Sequence, residues 1–368
     1  MCFKTHVPST GSIALPWMLH GSDLTSASPN CDRPIVAELS LTDEQQRDLL
    51  ERRILPVIFG DAHASPAPTL TVVTGQPGSG SPRATSRVLS DAPDSAVISA
   101  DTLQALHPRY PDLVRSRSPR ALTLLSEPAA YWAAQALTHA RETARSLIVE
   151  TSISSPSTAL RLAESFSRGG FAIRVIVVAT PRAQSLLAAA SGHLLERRAG
   201  RTSTPPALSA HDESWNAVRA LVGGLEATPA VDQLSLFDDA GTVLFDAARS
   251  DERAFAGASR TLIAAHSTPM TNASAMRWLS ELRAATDYAI TDDSLDRSTV
   301  DVLLELQGIA VEEVLPRIVL PPDSLARANA SVAIAERADR LRRAAGPTLV
   351  DAAAPSITAP DVTIGLSR

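Results

Sequence analysis

Lysine is all but missing from this 368-residue chain: Lys4 is the only one, and every other basic residue is arginine. The body of the chain therefore has no ammonium group to meet a phosphate as a compact point charge, a role that arginine's planar fork does not reproduce. Cysteine is nearly as scarce. Cys2 and Cys31 both lie near the N-terminus, which excludes a disulfide framework or a cysteine-based metal site for the rest of the chain. No apolar run approaches the roughly 18 residues needed to cross a bilayer, and the N-terminus carries no signal-peptide pattern. A cytoplasmic protein without membrane association is the expectation. Excess positive charge is lacking too. The net charge of −6 argues against general nucleic-acid affinity and leaves room for a local anion pocket.

What is present suits a globular α/β protein. Apolar residues make up 44% and charged residues 20%, enough for one large domain or two modest ones. Residues 1–36 and 347–368 are rich in Ser, Pro, Gly and Thr without periodicity and read as disordered tails. Thr42 followed by Gln45 marks a helix start, with Pro56 as its interruption. Thr69–Val73 reads as a buried strand running into a glycine-rich turn, and Arg83–Leu89 as the helix after it. Further strands are expected at Ala96–Ser99, Ser146–Val149 and Ile173–Val178, with helices at Pro128–Thr143 and Thr158–Arg168. Val231–Phe237 and Thr242–Phe245 read as a hairpin. This alternation predicts a mainly parallel sheet flanked by helices, of the P-loop NTPase type, over residues 37–250. Residues 251–346 read as a helical C-terminal region. Within it Trp278, Leu279 and Leu282 share a core-facing stripe, and Ala330–Ala345 reads as a long exposed helix.

The strongest chemical signal is Gly75-Gln76-Pro77-Gly78-Ser79-Gly80. It follows a strand and opens a helix, the context that makes a glycine pattern a phosphate-loop candidate. Glycines let successive amides converge on a phosphate, and the helix N-terminus adds positive potential. A bare strand-to-helix turn is the competing reading. The two positions that follow are Ser81 and Pro82, where a phosphate loop has Lys and then Ser or Thr. The positioned ammonium, the hydroxyl for a metal ion and one amide donor are therefore absent. Arg83 and Arg87 are the nearest cations. Asp101, at the end of the second strand, is placed either to accept a proton from an attacking hydroxyl or to cap a helix. Glu150-Thr151-Ser152, at the end of the third, can bind a sugar or a hydrated cation, or can cap. His107 reads as a helix-end residue, and His211-Asp212 as a structural pair. No metal-ligating residue is assigned.

In order and spacing these segments resemble the zeta toxin family, kinases that phosphorylate UDP-N-acetylglucosamine in bacterial toxin–antitoxin systems. The resemblance runs from about Leu41 to Asp246. It rests on Glu51-Arg52-Arg53-Ile54-Leu55-Pro56, the glycine loop, Asp101-Thr102 with His107-Pro108, and Glu150-Thr151-Ser152, where the family has Glu-Gly-Thr. Pro181 with Ser185, His211-Asp212, and the closing strands around Asp239 and Gly241 complete it. The resemblance implies ATP with Mg²⁺ at the loop (Gly75, Gln76, Pro77, Gly78, Ser79, Gly80, Ser81 and Arg83) and Asp101 as general base. It implies a sugar nucleotide near Glu150, Thr151 and Ser152, and an antitoxin protein as partner. The chain departs from the pattern at Ser81 and Pro82, and at Gly192, where the family has an arginine. The candidate for a second family arginine, Arg201, lies about three residues upstream of the usual spacing. Either an active divergent kinase or a pseudokinase that binds nucleotide, sugar nucleotide or a protein partner is compatible with these residues.

Overall fold

A computed structural model describes residues 41–345 apart from 117–118, 154, 202, 293–294 and 322–323. The tails expected at 1–36 and 347–368 lie outside the described residues. In chain order the elements are α1 (Asp43–Leu49), α2 (Leu55–Phe59), β1 (Thr69–Gly75), α3 (Ser81–Asp91), β2 (Ala96–Ile98), α4 (Ala100–Ala105), α5 (Tyr110–Ser116), α6 (Pro119–Glu142), β3 (Leu147–Ser152) and α7 (Pro156–Arg168). They continue as β4 (Ala172–Val178), α8 (Arg182–Arg198), α9 (Leu208–Leu225), β5 (Gln233–Phe237), β6 (Val243–Ala248), α10 (Ala258–His266), α11 (Asn272–Ile290), α12 (Arg297–Ile309) and α13 (Ala326–Ala344).

The strands form one six-stranded sheet in the order β2-β3-β1-β4-β5-β6. Every pairing is parallel except β5 with β6, which form the expected antiparallel hairpin. β1 sits between β3 and β4, with Gly75 opposite Ser152 and Thr74 opposite both Thr151 and Val177. The loop after β1 therefore emerges at the carboxyl edge of the sheet, where open α/β folds place their ligands. Alternation along the buried strands feeds two faces. Leu70 and Val72 of β1 join the larger core, which includes Trp132 of α6, Leu162 and Phe166 of α7, and Val218 and Leu221 of α9. Val73 points the other way, into a smaller cluster with Ala84 and Val88 of α3, Ile176, Val178 and Phe237. A third core joins α8 to α11, α12 and α13. In it Trp278 is buried and donates its indole N–H to the Ala183 carbonyl at 2.9 Å.

Local chemistry accounts for several boundaries. Thr42 and Gln45 form a reciprocal capping box at the start of α1. Pro56 does not end the helical run as expected. A π-helical turn at Leu50–Ile54 shifts the hydrogen-bond pattern, so Pro56 falls in the first turn of α2, where its missing N–H costs little. α6 begins at Pro119, earlier than the expected start at Pro128, which lies in its interior. The buried face formed by Leu125, Ala129, Trp132, Ala133, Ala136 and Ala140 outweighs one lost backbone bond. α13 begins at Ala326 and is not wholly exposed, because Ile334, Ala338 and Leu341 turn inward.

At the end of α10, His266 stacks on Trp215 with ring centroids 3.8 Å apart and planes 20° from parallel. Neither ring nitrogen meets a hydrogen-bond partner. Burial, and then the nearby charge of Arg219, pull its pKa down to about 4. The folded ring thus stays neutral over a range in which the unfolded chain takes up a proton. Stability from this group is complete above about pH 6.5 and is lost as pH falls toward 4, on the order of 3 kcal/mol in all. Chemical denaturation at pH 7.5 and pH 4.5 tests this. His266→Phe is expected to remove most of that difference, and an unchanged difference would place the pH dependence elsewhere.

Candidate active site

The glycine loop is laced to the end of β4 by one residue. Gln76 donates its side-chain amide to the Thr180 carbonyl at 2.6 Å, and the Thr180 hydroxyl donates to the Ser79 carbonyl at 2.7 Å. Gln76, Ser79 and Thr180 are all buried. Gly80 takes a left-handed conformation, φ +98°, and is the N-cap of α3. No side chain caps that helix, which leaves its positive end facing the loop.

Gly78 also has a positive φ, +77°. A Cβ there would come within 2.0 Å of the Ser185 carbonyl oxygen and 2.7 Å of the Ala189 amide nitrogen, so α8 presses its main chain directly on the loop. The start of α8 is held firmly. Arg182 grips both carboxylate oxygens of Asp212 on α9 at 2.7 and 2.9 Å, and reaches Glu305 on α12 at 3.0 Å. Ser185 Oγ lies 2.9 Å from His211 Nε2, and His211 Nδ1 lies 3.3 Å from Asp212. Burial keeps the His211 pKa below its ordinary value, whereas Arg182 holds Asp212 below the usual carboxylate range. This serine–histidine–aspartate order is not a nucleophilic triad. Ser185 is fully buried and its hydroxyl is shared with the carbonyls of Pro181 and Arg182.

The arginines nearest the missing lysine position are engaged elsewhere. Arg83 donates through Nη1 to the Asp239 carbonyl. Arg87 donates to the Gly241 carbonyl at 2.6 Å and lies over the Phe237 ring, 5.6 Å from its centroid. Both guanidinium groups thereby fasten α3 to the β5–β6 turn. Ser81 Oγ pairs with Ser79 Oγ at 3.1 Å, and Pro82 occupies the second position of α3. Positive φ at Gly78 and Gly80 and the uncapped start of α3 give the loop a backbone form suited to an anion. The side-chain donors do not fit a loop-held Mg²⁺, and among the described residues no cluster of three or more His, Cys, Asp or Glu side chains could hold a metal ion.

Two expected carboxylates lie near the carboxyl ends of β2 and β3, beside the loop. Ser99, not Asp101, caps α4, accepting from the Thr102 amide at 3.2 Å. Asp101 is therefore free of the capping role. It is open to water yet recessed, and loss of surrounding solvent, then the charge of Glu196, push its pKa up. Glu150 accepts from Thr85 Oγ1 of α3 at 2.9 Å. Burial raises the Glu150 pKa, the Thr85 bond opposes that, and Asp101 adds to it. Thr151 is buried and turns its hydroxyl to the Ser152 carbonyl at 3.1 Å, while Ser152 ends β3 exposed. Arg201 forms a two-pronged pair with Glu196, one contact being 2.7 Å from Nη2 to Oε1. The expected groups thus divide in two. Asp101, Glu150 and Glu196 share one electrostatic neighbourhood, with Arg201 bound to Glu196. Arg83 belongs to the β5–β6 side. Thr85, Thr180, Arg182 and Glu305 carry no motif and were not legible as site residues.

The parallel sheet, the glycine loop after its central strand and the carboxylates at neighbouring strand ends define a P-loop kinase-type α/β fold. The family model described as Zeta toxin matches residues 57–250, over half of the chain, and the chain belongs to that family. A solved chain from the PezAT chromosomal toxin–antitoxin system of Streptococcus pneumoniae superposes with a TM-score of 0.56 at 15% identity, covering 68% of this chain and 97% of that one. A chain from an AvrRxo1-ORF1:AvrRxo1-ORF2 complex with ATP aligns at 15% identity and a TM-score of 0.44, over 88% of this chain and 96% of that one. That likeness is too loose to argue from. No curated protein matches.

Gly78→Ala is expected to lower the free energy of unfolding by about 2–4 kcal/mol, because it combines an unfavourable φ with a clash against a pinned helix. Urea denaturation measures this. A midpoint equal to that of wild type would mean that the loop is not held against α8.

Proposed function

We propose that this protein is a pseudokinase of the zeta toxin family, one that retains the ligand cleft but has lost efficient phosphoryl transfer. The observation that carries this reading is the engagement of Arg83 and Arg87 by carbonyls of the β5–β6 turn, in a chain whose body contains no lysine. Phosphoryl transfer depends on positioned positive charge, and removing one such group costs roughly 3 kcal/mol, a hundredfold or more in rate. The anion cradle survives in the backbone of Gly75–Gly80 and in the uncapped start of α3. Nucleotide binding is thus retained in the proposal while turnover is not. By family membership the ligands are ATP and UDP-N-acetylglucosamine, with Glu150, Thr151 and Ser152 on the sugar-nucleotide side. The protein acts in the cytoplasm, with an antitoxin-type protein as partner. That partner is suggested by the toxin–antitoxin origin of the PezAT neighbour.

One observation favours an active kinase instead. Asp101 is free of capping duty, recessed and raised in pKa, the condition of a carboxylate able to take a proton from a sugar hydroxyl. Calorimetry with ATP and with UDP-N-acetylglucosamine, alongside an assay for phosphorylated sugar nucleotide, separates the readings. Binding without product is expected for wild type. Ser81→Lys combined with Pro82→Thr is expected to raise turnover by roughly tenfold or more, and adding Asp101→Asn to abolish it. Product from the wild-type chain that vanishes in Asp101→Asn would establish the active kinase. Absence of binding by either ligand would remove both readings.

A further inference from the structure

The C-terminal helices border a half-open cavity of about 430 Å³, away from the glycine loop, between α11, α13 and the segment that follows α12. Its walls are almost wholly apolar, with Leu279, Leu282, Leu315, Ile318 and Ile334 among them. A volume in this range, lined by hydrophobic side chains with a few polar groups, is the usual form of a small-molecule site.

The charged groups on the lining all have one sign. Arg283 and Arg337 border the cavity, and among the described residues of the lining there is no carboxylate. One aspartate outside the lining serves both: Asp287 lies 3.2 Å from Arg337 Nε and 3.6 Å from Arg283 Nε. The cluster of two guanidinium groups and one carboxylate therefore keeps a net positive charge. Arg337 is largely buried, its side chain 17% exposed, whereas Arg283 is 67% exposed and reaches solvent. A buried cation beside an apolar chamber lacks the water that would otherwise screen it and favours an anion that brings its own apolar tail. The remaining polar floor is already satisfied. Gln307 donates to Thr286 Oγ1 at 2.7 Å, and that hydroxyl donates to the Leu282 carbonyl at 2.8 Å. Ser280 is the one other polar residue among the described residues of the lining.

We infer that this cavity binds an amphipathic anion of the medium-chain carboxylate type, with its chain among Leu279, Leu315, Ile318 and Ile334 and its head at Arg337 and Arg283. Placement of the head at the arginines sets the ligand's direction. α13 forms one wall, and Ala330 and Ala333 provide there the space that a larger residue would fill.

The test is calorimetric titration of the full chain with decanoate and with decylammonium, both below their micellar concentrations. Wild type is expected to take up one equivalent of decanoate and to bind decylammonium at least roughly tenfold more weakly. Ala333→Phe fills the chamber and is expected to abolish decanoate uptake, and Arg337→Gln to bring the two probes to near parity. Circular dichroism confirms folding of each variant, and Ala330→Leu replaces Ala333→Phe if the latter does not fold. The inference is overturned if decanoate gives no heat with wild type, if there is no preference for the anion, or if uptake is undiminished in a folded cavity-filling variant. It is equally overturned if light scattering shows a dimer that decanoate dissociates, since a second copy of the chain would then be the occupant.

Discussion

The main chain of α8 lies where a side chain on residue 78 would have to be, and much of this molecule is arranged around that contact. A glycine loop is soft by itself, because each glycine gains conformational freedom from its missing Cβ. Here the loop is given one shape by its surroundings. Thr180 laces it to β4 from below, and the Ser185 carbonyl bears on Gly78 from the side. The first turn of α8 is held by Arg182, through Asp212 on α9 and Glu305 on α12, and by the Trp278 indole on the Ala183 carbonyl. The helices beyond the family-matched segment thus support the glycine loop through α8, by Glu305 on Arg182 and by Trp278 on the Ala183 carbonyl.

Guanidinium groups also tie α3 to the neighbouring β-turn. Arginine presents a planar fork of donors that suits carbonyl oxygens at fixed spacing. Arg83 and Arg87, one turn apart on α3, face the Asp239 and Gly241 carbonyls of the β5–β6 turn. They tie the start of α3 to that turn. Asp101, Glu150 and Glu196 gather beside the loop, with Glu150 bonded to Thr85 of α3. Arg201 is tied to Glu196, and the negative charge felt by Asp101 comes from that same glutamate.

Some elements were readable from adjacent residues alone. The capping box at Thr42 and Gln45, the strand that runs into Gly75, and the hairpin around Asp238 to Gly241 each depend on contacts a few residues apart. Proline was read less well. Pro56 and Pro128 look like breaks, yet one is absorbed after a π-helical turn and the other is carried by a buried helix face. Local propensity is a small term beside the burial of Trp132 and its neighbours. For Asp101, where the sequence left a cap and a proton acceptor equally open, the cap falls to Ser99 two residues earlier.

The sequence by itself determined the order of the strands, the place of the glycine loop and the absence of a lysine after it, because each is written in neighbouring residues or in plain composition. Only the tertiary structure decided what the surviving cations do. The bond from Arg83 to Asp239 spans 156 positions, that from Arg182 to Glu305 spans 123, and that from Gln76 to Thr180 spans 104. No periodicity or motif records a pairing over such distances. It is set when the sheet and its helices pack, and burial then fixes which charge each guanidinium group meets.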